Sequence, residues 1–160
     1  MEGSKEELAS YQKIREDARV FYTQIRRIDC PAFNNESVYF TANGFHHLRY
    51  SSDGKERPRK TQTMKYKLLS KAVTLIARTT TYQEYEERLI NNYRKIRQGK
   101  HTFCRYWGFV AIISGFRIKV IIRQLGNGKK EFRSIIPAWE IRAYKNIKLI
   151  SNATGDLYND

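Results

Sequence analysis

The chain has 160 residues, 41% of them hydrophobic, so we expect one globular domain over residues 1–150 and a short C-terminal tail over residues 151–160. Thirty Lys and Arg oppose sixteen Asp and Glu, and the net charge of +14 favours a polyanionic partner. No apolar run approaches the length of a membrane span, and the start MEGSKEEL has no signal-peptide features. These features, and two cysteines without metal-site spacing, predict a cytoplasmic protein with free buried thiols and no membrane partner.

The N-terminal segment has the pattern of an amphipathic helix. Ser4 and Glu7 have the spacing of a capping box. Apolar residues then recur at intervals of three and four from Leu8 to Ile28, which predicts a helix that ends before Pro31. The β-prone run Ser37–Thr41 predicts a short strand, and Asn43-Gly44 after it predicts a turn.

A second helix is predicted after Pro58, because the residue before a proline disfavours helical geometry. Thr61 or Thr63 is its expected N-cap. Its apolar stripe is formed by Met64, Leu68, Leu69, Ala72, Val73, Leu75 and Ile76.

Three later segments are ambiguous. Tyr82–Ile90 fits a strand or the start of a helix, and we favour an extended segment beside the first strand of the following sheet. Residues 91–100 are polar and basic and are expected to form a loop or a frayed turn. Residues 140–150 fit a last strand or a short helix.

The segment from Phe103 to Trp139 contains the strongest β signal. Two long β-prone runs are separated by Ser114-Gly115, and the second is followed by the hairpin signal Gly126–Lys129. A third run ends at Pro137. This order predicts three consecutive antiparallel strands. The fold class is therefore α+β, with N-terminal helices packed on a C-terminal antiparallel sheet.

The middle of these three strands has two distinct faces. Ile118, Val120 and Ile122 share one face because side chains alternate along a strand. The other face carries a row of cations, which is typical either of a solvated sheet face or of a preorganised anion site. The row consists of Arg117, Lys119 and Arg123.

His46 and His47 are the only adjacent histidines in the sequence. Adjacent side chains point in different directions, so only one of the two is expected to enter a site, and a structural role for it is the alternative. Basic residues follow the pair at Arg49, Arg57, Arg59 and Lys60.

Such residues suit RNA cleavage without a metal. This reaction needs an acid, a base and fixed cations, and His, Arg and Lys supply these roles. Ser134 is a candidate phosphate ligand. The sequence has no HxxxH, CxxC, P-loop or GxGxxG motif, so we expect no metal and no cofactor.

Three stretches resemble the barnase–EndoU–colicin–RelE-like nuclease superfamily, in particular its phage- and bacteria-associated branch. They are SVYFTANGFHHLRY, RPRKTQTMKYKLL and the segment ending RIKVIIRQLGNGKKEFRSIIPAW, which together cover roughly Val38 to Trp139. The resemblance implies a metal-independent endoribonuclease, often a toxin or effector, that cleaves RNA through a 2′,3′-cyclic phosphate. An acidic antitoxin or immunity protein is the implied partner.

The resemblance also implies roles for individual residues. His47 matches the upstream histidine and would be the general acid or base, and the extra His46 leaves that register open. Lys119 and Arg123 match the basic strand and would contact the scissile phosphate. Ser134 would hydrogen-bond it. Arg59 matches more loosely, near the motif that precedes the long helix. Apart from the resemblance, the basic residues Arg59, Lys60 and Arg117 are expected to make further phosphate contacts.

Two alternatives to a nuclease remain open at this stage. The same basic face would serve a non-catalytic RNA- or DNA-binding module, because phosphate contacts drive affinity whether or not the chain cleaves. An effector that binds an acidic protein would also use these cations. Aromatic residues make up 13% of the chain and favour single-stranded RNA, for example tRNA, mRNA or rRNA, over lipid.

Overall fold

The computed structural model describes residues 2–90, 102–137 and Leu157. Helices pack on one face of a sheet, which confirms the α+β class. No helix within these ranges combines the length and apolar character needed to cross a bilayer. The helices are α1 (Glu2–Ile25), α2 (Ala42–Arg49) and α3 (Arg59–Arg78), with a short 3₁₀ turn at Pro31–Phe33; the strands are β1 (Arg27–Cys30), β2 (Glu36–Tyr39), β3 (Glu84–Ile90), β4 (Thr102–Ile113), β5 (Phe116–Leu125) and β6 (Lys130–Pro137).

The sheet has six strands in the order β1-β2-β6-β5-β4-β3. The three predicted C-terminal strands are confirmed as the antiparallel series β4, β5 and β6. The extended interpretation of Tyr82–Ile90 is also confirmed, because β3 pairs antiparallel with β4. The antiparallel prediction needs one correction: β2 pairs parallel with β6, through Val38 opposite Lys130 and Tyr39 opposite Glu131.

The end of the first helix was predicted wrongly. α1 ends at Ile25, because Arg26 adopts a left-handed conformation with φ of 61°. The chain then turns into β1, so Ile28 belongs to a strand that pairs with β2. The capping box is wrong too, since Ser4 lies inside a helix that begins at Glu2.

The predicted turn at Asn43-Gly44 is instead part of α2. A Cβ atom on Gly44 would lie 2.5 Å from the Tyr22 hydroxyl and closer still to the Phe132 carbonyl oxygen. The glycine therefore allows α2 to approach β6 closely, rather than supplying a turn conformation. This approach places the residues of α2 beside the strand that carries Ser134.

Helix α3 begins directly after Pro58, as predicted, but no side chain caps it, so the expected threonine caps are wrong. Its predicted stripe is buried at Leu68, Leu69, Ala72, Leu75 and Ile76. We call the side of the sheet under these helices the first face. Its buried residues include Trp107, Phe109, Ile118, Val120, Ile122 and Phe132.

The opposite side of the sheet, the second face, carries a smaller core of Cys104, Tyr106, Ile121 and Ile136. Leu157 is buried against it, and its backbone N–H donates to Glu86 Oε2 at 3.1 Å. At least this residue of the expected tail is thus in contact with the fold.

Both cysteines are free and buried, as predicted. The expectations for residues 91–100 and 140–150 lie outside the described residues.

Candidate functional site

His47 of α2 is buried, and the charges of cations from four other parts of the fold oppose its protonation. His47 comes from α2, Arg57 from the loop after it, and Lys65 from α3. Arg123 of β5 and Arg133 of β6 complete the group, and all four cations act on the protonation of His47. We call these five residues the His47 cluster. It is assembled by tertiary contacts between residues that are up to 86 positions apart in the sequence.

Arg57 holds His47 at two points. Its Nε donates to the His47 carbonyl oxygen at 3.1 Å, and its Nη2 lies 3.2 Å from His47 Nε2. A guanidinium group only donates hydrogen bonds, so Nε2 is the acceptor and the neutral imidazole carries its proton on Nδ1. The Arg57 backbone N–H also donates to the Arg49 carbonyl oxygen at 2.8 Å, which fixes the loop against α2.

The environment of His47 strongly disfavours its charged form. The side chain is buried, with 3% of the residue exposed. Burial is the largest effect, and Arg133, Arg57, Lys65 and Arg123 add to it, so the pKa of His47 falls from 6.5 to about 2. His47 is therefore neutral at physiological pH and is surrounded by fixed positive charge.

Lys65 is the most buried cation of the cluster, and Ser134 is its hydrogen-bond partner. Lys65 Nζ donates to Ser134 Oγ at 3.0 Å and to the Ile135 carbonyl oxygen at 2.9 Å. Both side chains are almost fully buried. Ser134 therefore accepts a hydrogen bond from Lys65 inside the fold and does not present its hydroxyl at the surface.

Arg123 and Arg133 are the partly exposed side of the cluster. A register shift between Ile121 and Ile122 leaves Arg133 as an extra residue in β6, and such bulges redirect side chains. Arg133 Nη2 lies 3.5 Å from Ser52 Oγ. Arg123 Nη2 is ion-paired with Glu131 at 3.3 Å, while its buried Nε has no hydrogen-bond partner among the described residues. An unused buried donor beside other cations is suited to an incoming anion.

The prediction that His46 and His47 point in different directions is confirmed. His46 is exposed and stacks on the Tyr50 ring with centroids 4.6 Å apart, whereas His47 is buried in the cluster. Of the two histidines, His47 is therefore the one that belongs to the His47 cluster.

The three cations predicted to form a row on β5 do not share one exposed surface. Lys119 is buried, and its Nζ lies 3.0 Å from Glu84 Oε2, with side-chain exposures of 2% and 3%. Lys119 is thus neither solvated nor placed to contact a phosphate, because the carboxylate of Glu84 in β3 extends past β4 and pairs with it. Arg123 belongs to the His47 cluster, and Arg117 is partly exposed at the other end of the strand.

The remaining predicted phosphate ligands lie elsewhere. Arg59 and Lys60 form the first turn of α3, where the Arg59 guanidinium lies 5.5 Å from the centre of the Tyr11 ring. Among the described residues, neither they nor Arg117 are among the cations that act on His47. In their place are Arg57 and Lys65, which the sequence showed only as part of a basic stretch, and Arg133, which precedes Ser134 in β6.

The described part of the chain contains no group of three or more His, Cys, Asp or Glu side chains that could hold a metal ion. No protein-family model, curated protein or solved structure matches the chain. The chemistry of the His47 cluster must therefore be inferred from its own geometry.

Proposed function

We propose that the chain is a metal-independent endoribonuclease that binds the scissile phosphate of RNA at the His47 cluster. The observation that carries this proposal is the buried imidazole of His47, which Arg57 contacts directly and whose protonation the charges of Lys65, Arg123 and Arg133 also oppose. Arginine suits such a site because its planar donors match two phosphate oxygens at once. The net charge of +14 would add long-range attraction to a polyanion.

In the proposed reaction, His47 Nε2 accepts the proton of the ribose 2′-hydroxyl. The 2′ oxygen then forms a bond to phosphorus, and the bond from phosphorus to the 5′ oxygen breaks. The leaving oxygen takes up a proton from solvent, so the products end in a 2′,3′-cyclic phosphate and a 5′-hydroxyl. The guanidinium groups of Arg57, Arg123 and Arg133 would stabilise the negative charge that grows on the phosphoryl oxygens.

Arg57 would link substrate binding to proton transfer. In the free protein it occupies the Nε2 lone pair of His47. A phosphate that draws this guanidinium away would release Nε2 as a base. The negative charge of the phosphate would also offset the cations and raise the pKa of His47, so bound substrate would make the imidazole a better proton acceptor.

A non-catalytic RNA-binding module is the second candidate, and a specific observation favours it. The pKa of about 2 makes His47 a weak base in the free protein, and its acceptor nitrogen is already engaged by Arg57. In either case an acidic antitoxin or immunity protein would find its complementary charge at the exposed edge formed by Arg123 and Arg133.

The test uses 5′-labelled RNA in EDTA with wild-type protein, His47→Gln and Arg57→Ala. Arg27→Ala is the matched control, because Arg27 is an exposed arginine in β1 outside the cluster. We expect wild-type cleavage with cyclic phosphate ends, and a loss of roughly 10²–10⁴ in kcat for His47→Gln with little change in affinity. Arg57→Ala should weaken binding and reduce the slope of log affinity against log salt by about 1.

Each outcome separates the candidates. Tight, salt-dependent binding without cleavage would support the binding module. Cleavage that EDTA abolishes and Mg²⁺ restores would contradict a metal-independent reaction. Equal turnover by wild type and His47→Gln would remove His47 from the mechanism, and an unchanged salt slope in Arg57→Ala would move phosphate binding away from the cluster.

A further inference from the structure

An open pocket of about 390 Å³ lies between α1, α2 and α3. One wall is formed by residues of α2 and the residue that follows it. These are Phe45, His46, Arg49 and Tyr50, whose spacing places them on one side. Arg15 of α1 and Tyr66 of α3 close the other sides. His47 points to a different side of α2, so this pocket is separate from the His47 cluster.

The pocket combines flat ring surfaces with positive charge. The His46 and Tyr50 rings stack with centroids 4.6 Å apart and an interplanar angle of 24°, and His46 is exposed. The Arg49 guanidinium lies 5.3 Å from the centre of the Tyr50 ring and donates from Nε to Glu56 at 3.0 Å. Arg15 contributes a second guanidinium. Rings with adjacent arginines are the groups that bind a base together with a phosphate.

The Tyr66 hydroxyl supplies independent evidence for a ligand. Tyr66 is 4% exposed, and its buried hydroxyl makes no well-aligned hydrogen bond to a described residue, although the Tyr11 hydroxyl lies near enough to raise its pKa. The neighbouring Tyr11 hydroxyl donates to Gln62 Oε1 instead. Burial raises the pKa of Tyr66 to about 12, so the hydroxyl keeps its proton at neutral pH and can donate it to an acceptor. Buried polar groups nearly always have a well-aligned partner, and a bound acceptor would supply one here.

We propose that this pocket binds one nucleoside phosphate, with the phosphate held by Arg15, Arg49 and the Tyr66 hydroxyl and the base against the His46–Tyr50 stack. The volume lies in the range of small-molecule sites. A free mononucleotide and one nucleotide of an RNA chain present the same chemistry. Only the RNA source rests on the proposed function.

The test is isothermal titration of the full chain with 5′-UMP, 5′-AMP, uridine and inorganic phosphate. The variants are Tyr66→Phe, which removes one oxygen, and Arg15→Ala. Arg19→Ala is the matched control, since Arg19 lies one turn along α1 and pairs with Glu16 on the surface. We expect roughly tenfold weaker nucleotide binding for both pocket variants, no change for the control, and much weaker binding of uridine than of UMP.

Thermal unfolding shows whether Tyr66→Phe keeps its fold. Because the variant removes a buried hydroxyl without a well-aligned partner, it should be at least as stable as wild type. Wild-type affinity for UMP in folded Tyr66→Phe, or no UMP binding by wild type, would overturn the proposal. So would equal binding of uridine and UMP, because the phosphate contacts would then contribute nothing.

A 2′-O-methyl RNA oligonucleotide, which cannot be cleaved through its 2′-hydroxyl, separates the two sources. If the oligonucleotide displaces UMP from wild type but does not bind Arg15→Ala, RNA is the occupant. If UMP binds and the oligonucleotide does not displace it, the occupant is a free nucleotide. The two proposals also fail separately. RNA cleavage without UMP binding would overturn the nucleotide-pocket proposal and support the nuclease proposal. UMP binding without RNA cleavage would support the pocket and overturn the nuclease.

Discussion

The buried neutral state of His47 makes the stability of the protein depend on pH. In the folded protein the pKa of His47 is lowered from 6.5 to about 2, first by burial and then by the surrounding cations. In the unfolded chain the imidazole regains its usual pKa. Below that pKa the unfolded state binds a proton that the folded state does not, so stability falls as the pH falls.

The size of this effect follows from the two pKa values. The loss amounts to about 1.4 kcal/mol for each pH unit once the unfolded imidazole is fully protonated. At about pH 5 the accumulated loss from His47 is roughly 2 kcal/mol, and it continues until the folded pKa is reached. This is a large fraction of the stability of a typical domain, which is about 5–15 kcal/mol.

Urea unfolding at about pH 7.5 and pH 5 measures this loss in wild type and in His47→Gln. Glutamine does not titrate in this range, so the variant should lose about 2 kcal/mol less than wild type between the two pH values. Other titrating groups are common to both proteins and cancel in the comparison. An equal loss in the two proteins would refute the reasoning, because His47 would then bind its proton equally well in the folded and unfolded states.

Two further predictions concern the parts of the fold that position the site. Lys119→Met should lower the free energy of unfolding by about 3–5 kcal/mol because it leaves Glu84 as a buried charge, and the double variant with Glu84→Leu should recover much of that in urea unfolding. No recovery in the double variant would contradict this. Gly44→Ala should lower the free energy of unfolding by about 1–3 kcal/mol, because the added Cβ atom would clash with Phe132. The control is Asn43→Ala, on the exposed side of α2. Equal stability of the two variants would contradict this prediction.

Local patterns predicted the C-terminal part of the fold well. β4, β5 and β6 alternate in their side chains and are separated by turn residues, so their pairing could be predicted from neighbouring residues. The hairpin of β1 and β2 was partly missed for the opposite reason. Helical spacing continues by chance through Ile28, and the left-handed conformation of Arg26 has no signature in that pattern.

The candidate site was predictable only in part. His47 could be selected by its pairing with His46 and its basic context, and Ser134 by its position before Pro137. Arg133 could not, because its place in the cluster depends on a β-bulge and on the approach of α2 to β6. That approach depends on Gly44, which the sequence indicated as a turn.

Lys119 and Arg123 show why alternation alone cannot distinguish a cation paired inside the fold from a candidate site residue. Both point to the second face of the sheet, four residues apart on β5, and the pattern assigns them the same role. Lys119 meets the Glu84 carboxylate at 3.0 Å, so its charge is balanced inside the fold. Arg123 acts with three other cations on an imidazole, and their fields suppress the protonation of that group. An anion bound there, as the proposed function requires, would relieve this suppression and be stabilised by the same charges, so its binding would raise the proton affinity of His47.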